Sequence, residues 1–108
     1  MGDRGEVIIN GVHLYTHSGG SCLISSVKHA LAKYARWNDI SYLARIIFCS
    51  MLGDDIAGTA GFGIGISVSD AWRVITLLDG ENAELVVRGN GIVRFEGSFQ
   101  DFLDWEEC

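Results

Sequence analysis

The stretch Glu6-Val7-Ile8-Ile9-Asn10-Gly11-Val12-His13-Leu14-Tyr15-Thr16 sets two runs rich in β-branched and aromatic residues on either side of an Asn-Gly pair. Asn and Gly tolerate the positive φ that a type I′ turn needs at both central positions, and the twist of that turn matches two antiparallel strands. The chain is therefore predicted to open as a β-hairpin.

Ser18-Gly19-Gly20-Ser21 breaks the alternation. Ser21 has the side-chain oxygen of a helix N-cap, so a helix is expected to start there. From Cys22 to about Trp37, the residues Leu23, Val27, Ala30, Leu31 and Tyr34 recur at three- and four-residue steps, with Lys28 and Lys33 off the stripe. Asn38 or Asp39 caps a second helix with a broader apolar face, which ends at Gly53. Glycines at 53, 58, 61, 63 and 65 then mark a loop that enters a strand at Ile64 to Ser67, where a ligand or another backbone can approach Gly63 and Gly65 closely.

After Asp70, the β-rich runs Arg73 to Leu78, Glu84 to Arg88 and Ile92 to Glu96 are separated by Asp79-Gly80-Glu81-Asn82 and Gly89-Asn90-Gly91, both turn chemistry. They predict an antiparallel meander. Ser98 caps a short last helix whose Phe99, Phe102, Leu103 and Trp105 pack back on the body. The order β-β-α-α-β-β-β-β-α predicts an α+β fold. In it, two adjacent helices cover one face of a mostly antiparallel sheet, and a short helix ends the chain.

At 108 residues the chain suits one domain over residues 1–108, with one core and no linker. No apolar run approaches the roughly 20 residues of a membrane span. The mixed-charge start Met1-Gly2-Asp3-Arg4-Gly5-Glu6 has no apolar h-region, so a cytoplasmic setting is expected. Cys22, Cys49 and Cys108 form an odd, widely spaced set that fits neither a disulfide framework nor a zinc site. They are expected to be reduced thiols, with Cys22 and Cys49 buried as small hydrophobes and Cys108 exposed. The net charge of −6 disfavours direct binding to nucleic acid. It favours a basic partner instead, met by the stretch Glu96 to Glu107, where Glu96, Asp101, Asp104, Glu106 and Glu107 occur without a basic residue.

Two segments carry a resemblance: Leu14-Tyr15-Thr16-His17-Ser18-Gly19-Gly20, and Arg36-Trp37-Asn38-Asp39-Ile40-Ser41-Tyr42-Leu43-Ala44-Arg45 with the residues to Phe48. With the later Gly65-Ile66-Ser67, these resemble small uncharacterised proteins carried by phages and prophages, over roughly residues 12 to 68. This chain has Ser18 where those proteins carry an aromatic residue. The resemblance brings no catalytic role. It implies a phage accessory protein that interferes with host defence in the host cytoplasm.

Several polar groupings invite chemistry. His13, Tyr15 and His17 alternate along one strand and share a face. His13 and His17 are nonetheless about 13 Å apart at about 3.3 Å per residue, too far to chelate one metal. His17 beside the Gly-rich turn suits a general base oriented by Asp39, or a structural residue that bonds a backbone carbonyl or the Asp39 carboxylate. Cys22 at a helix start is a candidate nucleophile, with a buried thiol as the plainer reading. The glycine run lacks the strand-to-helix context of a phosphate loop. Arg36, Trp37, Asp39, Tyr42 and Arg45 gather at the helix junction, either as a recognition surface or as a salt bridge that closes the corner.

Three functions follow as expectations. The first is a non-enzymatic inhibitor of a host defence protein, such as a CRISPR effector with a nucleic-acid groove, that binds through Glu96, Asp101, Asp104 and Glu106. The second is a small-molecule or nucleotide-signal sponge with Tyr15, His17, Arg36, Trp37 and the glycine loop around a pocket. The third is a small enzyme that uses His17 or Cys22. No cofactor or metal is expected. Exposed strand edges allow a homodimer.

Overall fold

The computed structural model describes residues 3–55, 57–66, 71–78 and 83–106. Asn10 and Gly11 take φ of 55° and 74°, the left-handed pair a type I′ turn requires. They join β1 (Gly5–Ile9) to β2 (Val12–Thr16), with Ile9 opposite Val12 and Gly5 opposite Thr16. Asn90 and Gly91 repeat the arrangement at 54° and 79°.

The remaining strands are β3 (Phe62–Gly65), β4 (Arg73–Leu78), β5 (Glu84–Gly89) and β6 (Ile92–Ser98). All six form one sheet in the order β3-β2-β1-β4-β5-β6. Every pairing is antiparallel except β1 with β4, which runs parallel and joins the hairpin to the meander. β3 begins and ends two residues before the expected strand; Ser67, like the expected turn at residues 79–82 and like Glu107 and Cys108, lies outside the described residues.

The helices α1 (Leu23–Leu31), α2 (Ile40–Leu52) and α3 (Phe99–Asp104) supply one core with the sheet's inner face. Val7, Leu14, Ile75 and Val87 meet Leu23, Val27, Leu43, Ile47, Phe99 and Phe102 there, all buried. Each such side chain contributes about 1.5–3 kcal/mol relative to exposure. Ser50 Oγ donates to the Ser26 carbonyl at 2.7 Å and ties α2 to α1. Gly53, at φ 56°, closes α2 as a C-cap glycine, and its N–H reaches the Cys49 carbonyl.

The first helix is shorter than its periodicity predicts: it stops at Leu31, not near Trp37. Tyr34 and Arg36 take left-handed φ of 51° and 63°, which breaks the helical path without a glycine or proline to announce it. Trp37 folds back, and its Nε1–H donates at 3.1 Å to the Leu31 carbonyl, which also accepts the Tyr34 N–H at 3.0 Å. The Ser21 side chain does not cap α1. Its hydroxyl donates to the Asp3 carboxylate, and a 3₁₀ turn, Gly20–Cys22, leads into the helix. Cys22 and Cys49 are exposed, not buried. On α2, Cys49 lies two residues from both Ile47 and Met51, well off the stripe formed by Leu43, Ile47 and Met51. Cys22 precedes the first buried position of α1, where the chain still runs along the surface.

Candidate functional site

The C-terminal corner is built by capping and by aromatic packing. The Ser98 hydroxyl accepts from the Asp101 N–H at 3.1 Å and starts α3 as expected. Phe99 and Phe102, three apart, turn one side of the helix into the core. Trp105 lies against Phe95 at 5.1 Å and Phe102 at 6.1 Å between ring centroids. From α1, the Lys28 ammonium donates to the Trp105 carbonyl and sits 5.6 Å from the Phe102 ring. Asp101, Asp104 and Glu106 are left exposed on this anchored segment, and Glu96 is exposed on the outer face of the edge strand β6. Glu96 thus lies on the outer face of the sheet, whereas α3 packs on its core face.

At the α1–α2 junction, the Arg36 guanidinium lies 4.3 Å from the Tyr42 ring centroid, and its Nη1 is 3.8 Å from Asp39 Oδ2. Both partners of that ion pair are substantially solvated, so it contributes at most about 1 kcal/mol. Trp37 packs edge-on against Phe99 at 5.5 Å and beside Tyr34 at 5.2 Å. Its indole therefore belongs to the core margin. Arg45 is exposed on α2, one turn beyond Tyr42.

The sheet's outer face carries His13 and His17. The His17 Nδ1 meets the Tyr15 hydroxyl at 3.2 Å, and its backbone N–H donates to the Gly61 carbonyl at 2.8 Å. Asp39 pairs with Arg36, so the expected His17–Asp39 contact is replaced by Tyr15; α2 and His17 belong to opposite faces of the sheet. His13 Nδ1 contacts the Glu6 carboxylate, and Glu6 is only 1% exposed. Gly65 and Gly63 stand beside His13 and Tyr15 on β3, and no described atom lies within 4 Å of where their Cβ atoms would be.

Cys22 lines a shallow cleft on the helix side with Thr16, Ser18, Ser26, Met51 and Phe62, whereas the His17 ring bonds Tyr15 on the other side. The sheet likewise separates Tyr15 and His17 from Arg36 and Trp37. Among the described residues, no three His, Cys, Asp or Glu side chains gather as metal ligands, and no helix is long and apolar enough to cross a membrane.

Sequence reasoning missed the N-terminal clasp. The Asp3 carboxylate accepts from the Ser21 hydroxyl, from Trp72 Nε1–H at 2.8 Å and from the Ser21 N–H at 2.9 Å, and these bonds hold it below the usual carboxylate range. Its partners lie 18 and 69 residues away, beyond the reach of any local motif. The Glu6–His13 pair is nearer: the two residues sit diagonally across the hairpin, as the Asn-Gly register implies.

The fold is that of a two-layer α+β protein, one mixed sheet under one layer of helices. The chain matches no protein-family model, no curated protein and no solved structure.

Proposed function

We propose that this chain is a non-enzymatic accessory protein of the phage type that inhibits a host defence system by protein–protein binding in the host cytoplasm. The acidic β6–α3 corner seats in the basic nucleic-acid groove of a defence effector, with a CRISPR effector as the leading case. One observation carries this reading. Glu96, Asp101, Asp104 and Glu106 are exposed on a segment whose pose is held by buried Phe99 and Phe102, in a chain of net charge −6. Carboxylates held in place lose little freedom on binding and occupy the Lys and Arg side chains that otherwise hold phosphates.

The test is retention of a defence effector on the immobilised protein at low and high salt, followed by the purified effector's affinity for its nucleic acid in the presence of the protein. Salt-sensitive retention and competitive loss of nucleic-acid binding support the reading. Both should be weakened by Glu96→Gln, Asp101→Asn, Asp104→Asn and Glu106→Gln together. Retention that ignores salt and the four substitutions overturns it.

A further inference from the structure

The two edges of the sheet differ. β6 carries Arg94 and Glu96, and its register with β5 slips at Val87 and Arg88; charges and bulges of this kind obstruct pairing with another strand. β3 has neither protection. Residues 57 to 66 contain no charged side chain and no proline, and among the described residues no strand pairs with β3 on its far side. Ile64 is 63% exposed and Ile66, just beyond the strand, 88%.

The hydrogen-bond alternation decides which groups that edge offers. The His17 N–H bonds the Gly61 carbonyl, and the β2–β3 register continues through Tyr15 with Gly63 and His13 with Gly65. In an antiparallel ladder, alternate residues turn their N–H and C=O to the same neighbour. Gly61, Gly63 and Gly65 therefore face β2, while Phe62 and Ile64 aim their backbone groups away from the sheet.

We infer that β3 pairs antiparallel with β3 of a second copy of this chain, about a two-fold axis through Ile64. That register sets Ile64 against its twin, where the outward-facing N–H and C=O of each Ile64 bond those of the other, and brings the side chain of Phe62 against that of Ile66. The side chains exposed on the inner face are the ones covered, and Gly63 meets Gly65 on the outer face, where neither presents a side chain to clash. A second copy fits this edge because the strand matches itself, with its exposed apolar side chains on one face and bare glycines on the other, and the seam avoids the charge that would set two copies apart. Two chains of net charge −6 meet along a neutral strand, and their acidic corners lie at the opposite edge of each sheet. The joint is short, so the dimer is a weak one that depends on concentration. This inference does not depend on the proposed function, although the dimer would present two acidic corners at the far ends of one continuous sheet.

Sedimentation velocity of the full chain across a wide concentration range tests the inference. A monomer–dimer equilibrium is expected, and Ile66→Lys should raise its dissociation constant about tenfold or more by setting a charged side chain against Phe62 of the second copy in place of an apolar one. Ile64→Pro removes an N–H that points away from β2 and should do the same while leaving the far-ultraviolet circular dichroism unchanged. Ile92→Lys on β6 should leave the equilibrium as it is. A chain that stays monomeric at the highest concentration, a dimer untouched by Ile66→Lys, or a dimer abolished by Ile92→Lys overturns the inference.

Discussion

Gly5 and Gly20 pack backbone to backbone: a Cβ on Gly5 would lie 2.9 Å from the Cα of Gly20. A Cβ on Gly20 would in turn lie 2.6 Å from the Arg4 carbonyl oxygen and 2.8 Å from Trp72 Nε1. The start of β1 and the 3₁₀ turn before α1 come together only because both residues lack a side chain. Gly20→Ala should therefore cost about 1–3 kcal/mol, since the backbone must shift. Gly65→Ala, where no described atom lies within 4 Å, should leave stability within about 0.5 kcal/mol. Urea denaturation of the two variants beside the parent chain checks the contrast.

Asp3 holds the same junction electrostatically. Bonds from the Ser21 hydroxyl, the Trp72 indole and the Ser21 N–H lower its pKa from the ordinary 3.8. A lowered folded-state pKa means that the unfolded chain binds the proton more readily. The clasp's contribution is thus complete above pH 3.8 and fades as the pH falls through the lower folded value. Asp3→Asn should lower Tm at neutral pH and show a shallower acid decline, so that its curve approaches the parent's at the acid end. Parallel curves throughout would separate Asp3 from the acid transition.

Glu6 is nearly inaccessible, and His13 supplies one of its contacts. His13→Ala takes that partner from a buried carboxylate and should cost about 1–3 kcal/mol. Removing both groups, in Glu6→Leu with His13→Ala, should recover part of the loss, because no buried charge remains to be solvated. A double-mutant cycle by thermal denaturation measures the coupling.

Phe102→Ala should cost about 3–5 kcal/mol and loosen α3, since the ring is buried and supports Trp105 and Phe95. The four carboxylate-to-amide substitutions at Glu96, Asp101, Asp104 and Glu106 should change stability by only about 0.5 kcal/mol each. If the acidic corner binds its partner, both variants lose binding, but only Phe102→Ala also loses stability. Equilibrium unfolding run beside the binding assay distinguishes the two.

Ser98→Ala removes the oxygen that accepts the Asp101 N–H and should cost about 1 kcal/mol through loss of the N-cap. Ser21→Ala should act differently. Ser21 makes no cap bond to α1, so its loss should appear in the Asp3 acid limb, as followed by the pH dependence of Tm.

Residues close in sequence were legible because their geometry is local. Asn10-Gly11 specified a hairpin and its register, Ser98 specified the start of α3, and Gly53 the end of α2. The early stop of α1 was not legible. Its cause is the docking of Trp37 on Phe99 and Leu31, which holds Tyr34 and Arg36 in backbone conformations that neither favours alone. The exposure of Cys49 escaped for a related reason: its residue type suggests burial, whereas its angle on α2 is set by how Leu43, Ile47 and Met51 meet the sheet.

Turn chemistry and periodicity by themselves determined the order of elements, the one-sided apolar faces and hence an α+β fold, because these depend on neighbours within a few residues. Only the tertiary structure decided that β1 lies parallel to β4, that Asp3 reaches Ser21 and Trp72, and that the sheet separates His17 from Asp39 and from Cys22. Those relationships come from burying all the apolar faces in a single core. That burial rewards the whole arrangement at once and leaves no mark in any short stretch of sequence.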